Sequence, residues 1–308
     1  MAVKRRRPNP QLGEVQGNEI VGLAGETVGG YVGLSERLPF VPTTVWTIKG
    51  DDEYRSLLKL VGDTGQSRSG SFMDGSRDEG AGFMPGATNG ASVFPPSLVQ
   101  QVVAFFRHLN PAVELVIDPF GGGGTRAIVS ALLKRRYVGV ELREVEAQRV
   151  RDRIGELSLD GLASIITADS TSHVWAPHLP GAADLLLTCP PYWTLERYSD
   201  QDDDLSTDPS YASFLNRLSR VIKASHFAVA EGKFSVWVVG EFRDPRTGNL
   251  LDFPGDVCRL HQEAGFALYD RAVYSVANTA ALARVGVFDR TRKLVRLHGH
   301  VLVFRAGG

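Results

Sequence analysis

Four consecutive residues, Cys189-Pro190-Pro191-Tyr192, follow a short apolar run, Ala183-Asp184-Leu185-Leu186-Leu187-Thr188, that reads as a central parallel strand. Two prolines stop the hydrogen-bond ladder and remove two backbone donors, while their carbonyls stay available as acceptors. Rigid acceptors backed by an aromatic ring suit the gripping of a planar group that carries an NH2, such as the exocyclic amine of a nucleobase. A plain Pro-Pro turn with a packing tyrosine would use the same four residues, so the loop is weighed together with what precedes it.

Upstream, Glu114-Leu115-Val116-Ile117-Asp118 reads as a strand, followed by Pro119-Phe120-Gly121-Gly122-Gly123-Gly124-Thr125 and a helical stretch from Arg126 to Leu133. Strand, glycine loop and helix make the first unit of a nucleotide-binding α/β fold, in which the glycines let a ligand approach the backbone. The loop is GGGG and not GxGxxG, and no Lys follows it, which argues against a dinucleotide site and excludes a P-loop. An acid at the strand end would repel a pyrophosphate but attract a cation. S-adenosylmethionine, with its ammonium and sulfonium, fits that requirement.

The next strand, Tyr137 to Glu141, ends in an acid placed where such folds bind ribose hydroxyls, and a third, Ser164 to Asp169, ends in an acid that could meet an adenine amine. Each acid alone could simply cap the following helix. Three at successive strand ends, with the Pro-Pro loop at a fourth, place all four features at the carboxyl edge of one open sheet, where α/β folds bind ligands.

Taken in order, DPFGGGGT, the Glu141 strand end, Ala168-Asp169-Ser170 and Thr188 to Trp193 (TCPPYW) resemble the motifs of amino-directed DNA methyltransferases, which methylate adenine N6 or cytosine N4 from S-adenosylmethionine. The resemblance covers about residues 91 to 308. It implies a Rossmann-like α/β fold: a seven-stranded class I methyltransferase sheet with helices on both faces. It also implies a cofactor site at Asp118, Pro119, Phe120, Gly122, Gly124, Thr125, Glu141 and Asp169. Asp118 would face the methionine end, Glu141 the ribose and Asp169 the adenine. Val93 to Ser97 resembles the family segment that closes over the cofactor, which brings in Phe94; an ordinary proline-initiated helix reads equally well there. Cys189, Pro190, Pro191 and Tyr192 would form the catalytic loop, with Tyr192 stacking on a flipped base. Trp193 is expected at the nucleic acid. The family usually carries Asp, Asn or Ser before Pro-Pro-Tyr, whereas this chain has Cys189, whose sulfur is a weak acceptor. Both bases stay open, with a slight lean toward cytosine N4 because Cys is closest in size to Ser. An RNA amine methyltransferase and a cofactor-binding module with lost or altered transfer activity are the alternatives.

The 308 residues, 43% of them hydrophobic, can hold one large domain plus an appendage. Two cysteines, Cys189 and Cys258, exclude a disulfide framework and any cysteine-rich metal site. The absence of a long apolar run or an N-terminal signal pattern sets the expectation of a cytoplasmic protein without a membrane span. A net charge of −1 is not the footprint of a generally basic nucleic-acid binder. The charges are uneven, however: Lys4 to Arg7 form a basic arm, and Arg284, Arg290, Arg292, Lys293 and Arg296 cluster late in the chain. DNA is the expected partner, with Arg290, Arg292 and Lys293 set to meet phosphates.

Residues 1–90 read as an irregular N-terminal extension that includes a Gly/Ser-rich loop from Gly65 to Gly90, and the resemblance implies that residues 91–308 form the methyltransferase domain. Thr44 to Ile48 reads as a possible strand and Glu53 to Leu60 as a short helix. About sixty residues separate the glycine loop from the Pro-Pro loop, too few for a large recognition domain, as in stand-alone or phage-type enzymes. Tyr198 to Pro209 reads as an acidic substrate loop and Tyr211 to Phe227 as an amphipathic helix. A strand from Phe234 to Gly240, a helix from Asp252 to Ala264 and a strand from Phe266 to Val276 follow, and His298 to Phe304 closes the sheet. His298 and His300 alternate along that last strand; with no third ligand nearby in sequence they read as structural, and no metal is expected.

Overall fold

The computed structural model describes residues 14–16, 19–21, 43–48, 52–61, 94–109, 113–172, 175–176, 183–195, 197–276, 292–294 and 296–307. Its strands are β1 (Glu14–Gln16), β2 (Glu19–Val21), β3 (Val45–Ile48), β4 (Leu115–Asp118), β5 (Arg136–Glu141), β6 (Ala163–Thr167), β7 (Ala183–Thr188), β8 (Val229–Val239), β9 (Phe242–Arg243), β10 (Leu250–Leu251), β11 (Phe266–Val276) and β12 (His298–Ala306). The helices are α1 (Asp52–Leu60), α2 (Pro96–Leu109), α3 (Thr125–Leu132), α4 (Glu144–Glu156), α5 (Tyr211–Ala228) and α6 (Phe253–Glu263). The Gly/Ser-rich loop, the Lys4–Arg7 arm, Arg284 and Arg290 lie outside the described residues.

Eight strands make one sheet in the order β3-β11-β12-β8-β7-β4-β5-β6. Only β12 is reversed: it runs antiparallel to β8 and β11, and the other neighbouring pairs are parallel. The fold is therefore the Rossmann-like α/β sheet expected, with two corrections. Among the described residues the sheet has eight strands and not seven, because β3 pairs with β11 through Val45 to Ile48. And β12 does not close the sheet but lies inside it, between β8 and β11. The added strand covers what would be an open β11 edge; the Val273 amide donates to the Thr44 carbonyl at 2.8 Å, and Trp46 and Ile48 are buried. Arg153 of α4 donates to the Leu60 and Lys59 carbonyls, fastening the end of α1 to the domain.

Both faces of the sheet are buried, which explains strands that are apolar throughout rather than alternating. Val116, Leu185, Leu187, Val236, Val238, Val301 and Val303 belong to one core with α2, α3 and α4. Ile117, Leu186, Trp237, Val239, Leu302 and Phe304 belong to the other, with α5 and α6. Helix starts follow their sequence signals: Ser210 caps α5 by accepting from the Ser213 amide, and Asp252 caps α6 by accepting from Gly255, with Pro254 in the first turn.

His261 of α6 sits fully inside the second core. Its ring stacks on Phe304 at 3.7 Å between centroids, Nδ1 lies 2.7 Å from the Val257 carbonyl, and Nε2 has no partner among the described residues. Burial pulls its pKa down from 6.5 to about 3, so the folded state holds the ring neutral. The unfolded chain takes up a proton near 6.5, the folded one only near 3, so stability is full above about 6.5 and falls as pH drops toward 3. Urea titrations from pH 7 to pH 4 should show His261→Phe losing less stability than the wild type over that interval. Equal losses in the two proteins would remove His261 from the acid response.

Candidate active site

The glycine loop is held from below by a single carboxylate. Asp118, at the end of β4, is 1% exposed, and both its oxygens are occupied. Oδ1 accepts from the Phe120 amide (2.9 Å) and the Thr188 hydroxyl (2.5 Å). Oδ2 accepts from Arg126 Nε (2.5 Å) and the Tyr137 hydroxyl (2.7 Å). A carboxylate offers about four lone-pair positions, and here all are filled. Asp118 therefore does not present a counter-charge to a ligand's ammonium, as its place at the strand end implied; it neutralises buried Arg126. Burial alone would lower the Arg126 pKa, but Asp118, Tyr137 and the nearby Cys189 reverse that and raise it, so the guanidinium stays charged. Burial and the Asp118 charge push the Tyr137 phenol well above its ordinary value, which keeps it a donor. Gly139 makes room for this, since a Cβ there would lie 2.9 Å from the Tyr137 ring.

Arg126 also donates to the Phe120 carbonyl at 2.5 Å, and its guanidinium lies 4.9 Å from the centre of the Phe94 ring. Phe94 thus packs on Arg126, and that ring face is not available to a cofactor. Arg126, Tyr137 and Thr188 were not singled out by sequence. A faint signal existed for Arg126, the only charge in the TRAIVSAL helix.

Above this network the loop is shaped for close approach. Gly123 (φ 77°) and Gly124 (φ 73°) adopt the left-handed conformation that favours glycine. The Gly123 amide donates to Glu146 (3.0 Å), which is also paired with Arg149. Burial alone would raise the Glu146 carboxyl, but Arg149 and that amide hold it below its usual value. Gly121 donates to the Val140 carbonyl at 2.7 Å, locking the loop against β5. A Cβ on Gly122 would lie 2.6 Å from Glu141 Oε2, so only glycine leaves that carboxylate its place. Thr125 is buried at the start of α3. The Pro119 carbonyl accepts from the Ser170 hydroxyl, and the half-buried Phe120 ring meets Trp237 edge-on at 6.1 Å.

Glu141 keeps an oxygen toward the loop: Oε1 accepts from Arg143, through the amide at 3.0 Å and Nε at 3.3 Å, while Oε2 faces Gly122. Burial raises its pKa. Asp169 lies two residues beyond β6, and its oxygens accept from the Thr171 amide (2.8 Å) and hydroxyl (2.5 Å), one bond each. The three acids thus share one edge of the sheet, but with three different degrees of commitment.

The Pro-Pro loop leaves β7 beside this loop, with Thr188 in the Asp118 network. Cys189 Sγ is half-buried, 3.1 Å from the Tyr192 hydroxyl, which also lies 3.4 Å from the Val238 carbonyl. Tyr192 is 2% exposed, edge-on to Phe242 (6.1 Å) and Phe253 (5.9 Å). No open ring face is left for stacking on a base; the tyrosine supports Cys189 from behind. Trp193 is likewise 2% exposed, with its indole N–H donating to the Asp208 carbonyl at 2.9 Å, so it does not face nucleic acid as expected. Its φ of 43° is a strained backbone for a bulky residue.

The acidic segment after it is an ordered loop. Arg217 of α5 donates to the carbonyls of Asp202, Asp203 and Asp204 and pairs with Asp208 at 3.3 Å. Arg143 reaches the Tyr198 carbonyl at 3.5 Å, joining this loop to Glu141. Of the late basic residues, Arg292 is exposed and Lys293 half-buried; Lys293 Nζ would lie 3.3 Å from a Cβ on Gly248, in the β9–β10 turn. Arg296 pairs with Glu241 at 3.0 Å.

No family model and no curated protein matches the sequence. Among solved structures, TrmN from Thermus thermophilus is 18% identical with a TM-score of 0.44, over 69% of this chain and 49% of that one, so this chain spans about half its length. The CcbJ methyltransferase from Streptomyces caelestis is 14% identical with a TM-score of 0.44, over 70% of this chain and 92% of that one. The magnesium protoporphyrin IX methyltransferase from Synechocystis PCC 6803 with bound SAH is 13% identical with a TM-score of 0.44, over 68% and 82%. These likenesses carry no function to this chain, whose chemistry is read from its own residues.

The buried pair yields a stability test. Asp118→Leu leaves Arg126 charged without its partner and should cost about 3–5 kcal/mol. Arg126→Met should cost a comparable amount. The double variant Asp118→Leu/Arg126→Met should recover much of the loss, because no charge is then buried. Denaturant titrations in which the two single losses simply add would show that the pair is not coupled.

Proposed function

We propose that this chain transfers a methyl group from S-adenosylmethionine to the exocyclic amine of a base flipped out of DNA, with cytosine N4 slightly favoured over adenine N6. The observation that carries the reading is the juxtaposition at the ends of β4, β5 and β7: a glycine loop whose Gly122 backs onto Glu141, next to the Cys189-Pro190-Pro191 loop. The residues present fit a nucleoside-bearing cofactor at its ribose end. A side chain at Gly122 would fill the space beside Glu141 Oε2, and an added Cβ on Gly123 would meet nothing within 4 Å. S-adenosylmethionine, when bound, supplies a methyl group on a sulfonium that a nitrogen lone pair can displace. Glu141 would accept from the ribose hydroxyls, and Asp169 retains capacity for an adenine amine. The methionine end would meet the neutral Asp118–Arg126 pair in place of a free carboxylate, which leaves Glu141 the larger share of polar recognition.

At the target end, the Pro190 carbonyl and the Cys189 sulfur would accept the two N–H bonds of the amine. Those bonds favour a tetrahedral nitrogen whose lone pair is no longer delocalised into the ring. Alignment then carries the displacement, and the product nitrogen sheds its proton. The amine of a paired base is hidden, so the base has to leave the duplex. Burial pushes the Tyr192 phenol well above its usual pKa, so it remains a hydroxyl able to hold the thiol in place. Phosphates would be met on the β9–β10 side, where Arg243 donates to the Gly248 carbonyl at 3.0 Å and Lys293 lies over the same turn.

Three measurements test this reading. Glu141→Ala should weaken S-adenosylmethionine binding by about 1.5–3 kcal/mol, the range for a bond to a charged group; calorimetry giving wild-type affinity in a folded variant would overturn the ribose assignment. Cys189→Ser should keep substantial activity, since hydroxyl oxygen is the better acceptor at nearly the same size, whereas a dead serine variant together with a wild-type adduct on 5-fluorocytosine DNA would point to carbon-5 chemistry. Nucleoside mass spectrometry after incubation with matched DNA and RNA should show a methylated amine in DNA. The same product in RNA alone would move the substrate class, and cofactor binding without any transfer would make the chain a binding module.

A further inference from the structure

Two residues beyond β8, Glu241 meets the His298-Gly299-His300 segment at the start of β12. One carboxylate oxygen and one ring nitrogen from each histidine all lie within 4.8 Å of one another. Sequence alone had left the histidine pair without a third ligand; the reversed strand supplies it, because β12 enters the sheet at the rim where the parallel strands end. His300 pairs in register with Val239, only two residues before Glu241. Side chains two apart on a strand share a face, which sets the imidazoles side by side with centroids 5.1 Å apart. Gly299 between them gives its own face to the Tyr274 ring, 2.5 Å from where a Cβ would stand.

A second observation is independent of that spacing. His300 Nε2 is buried without a hydrogen-bond partner among the described residues, and buried polar atoms are rarely left so. Glu241 pairs with Arg296 through Oε2 at 3.0 Å, which orients the carboxylate. Arg296, and Arg271 acting on His300 at longer range, add positive charge that Glu241 and Asp252 offset.

We propose that Glu241, His298 and His300 form a divalent-cation site, with zinc the best match to two imidazoles and one carboxylate and with a fourth position open to water or a substrate oxygen. Donors bound at ~2.1 Å around a tetrahedral zinc are roughly 3.4 Å apart, so the ligand atoms close by up to about 1.4 Å on binding, within side-chain reach. The site lies on the same face of the sheet as Tyr192 and at the same rim: Tyr192 hydrogen-bonds Val238, the residue before the one paired with His300. It does not depend on the proposed methyl transfer, and its test does not use activity.

The 308-residue protein without a tag is loaded with zinc chloride, desalted and assayed for metal by mass spectrometry; in parallel it is titrated with cobalt(II) and followed by visible absorption. One equivalent of retained zinc and a cobalt band of low-coordinate intensity are expected. Glu241→Gln and His298→Gln should each weaken uptake by about tenfold or more, with circular dichroism confirming the fold, while His226→Gln, on α5 and away from the cluster, should retain it. Absence of stoichiometric uptake, or uptake equal to wild type in Glu241→Gln and His298→Gln, would overturn the site.

Discussion

The carboxylate of Asp118 is buried beneath the glycine turn, and an isolated charge in that position would be prohibitively costly. Its four donors come from four parts of the chain: the Phe120 amide in the loop, Arg126 on α3, Tyr137 on β5 and Thr188 on β7. One group therefore fixes β4 against both neighbouring strands and against the helix that follows it. The glycine loop needs such an anchor, since a run of four glycines loses more conformational entropy on ordering than any other sequence of its length. With Asp118 holding the base of the turn, Glu146 holding Gly123 and Val140 holding Gly121, the loop is fixed before any ligand arrives.

The same anchoring separates what could be read from the sequence from what could not. Strand, turn and helix around Asp118 and the acid at Glu141 were legible because each is a local pattern of a few residues. The α/β class followed from their repetition. The role of Asp118 was not legible, because its partners stand 8, 19 and 70 residues away and are brought to it only by the sheet. The same holds for Glu241, whose approach to His298 and His300 depends on β12 entering beside β8, an arrangement that no spacing announces. Tyr192 and Trp193 misled for a related reason. An aromatic after Pro-Pro is equally suited to an open pocket wall and to a core, and Phe242, Phe253 and Asp208, all distant in sequence, decide for the core.

Burying those two rings has a consequence for the loop they follow. Trp193 accepts a left-handed φ of 43°, which is sustained only where surroundings over-determine it. The surroundings are its indole bond to Asp208, the tilted contact with Tyr211 at 5.7 Å and the Arg217 clamp on the acidic segment. These contacts hold the backbone that follows Pro190 and Pro191, and the Tyr192 hydroxyl, 3.1 Å from the sulfur, positions Cys189 directly.

Charge is distributed around this edge in a way that the net value of −1 conceals. The segment after β7 is acidic and has Asp202 and Asp203 exposed, although their carbonyls are drawn in by Arg217. After β8 the charges are mixed: Arg243, Arg246 and Lys293 gather at the β9–β10 turn, while Glu241, Asp244 and Asp252 lie in the same segment and Asp244 pairs with Arg246 at 3.9 Å. Because exposed charges are screened over about 8–10 Å in physiological salt, an approaching polyanion responds to the local patch and not to the sum over the chain. A near-neutral total is therefore no measure of the local charge at either segment, because the β7 side is strongly acidic and the β8 side is mixed.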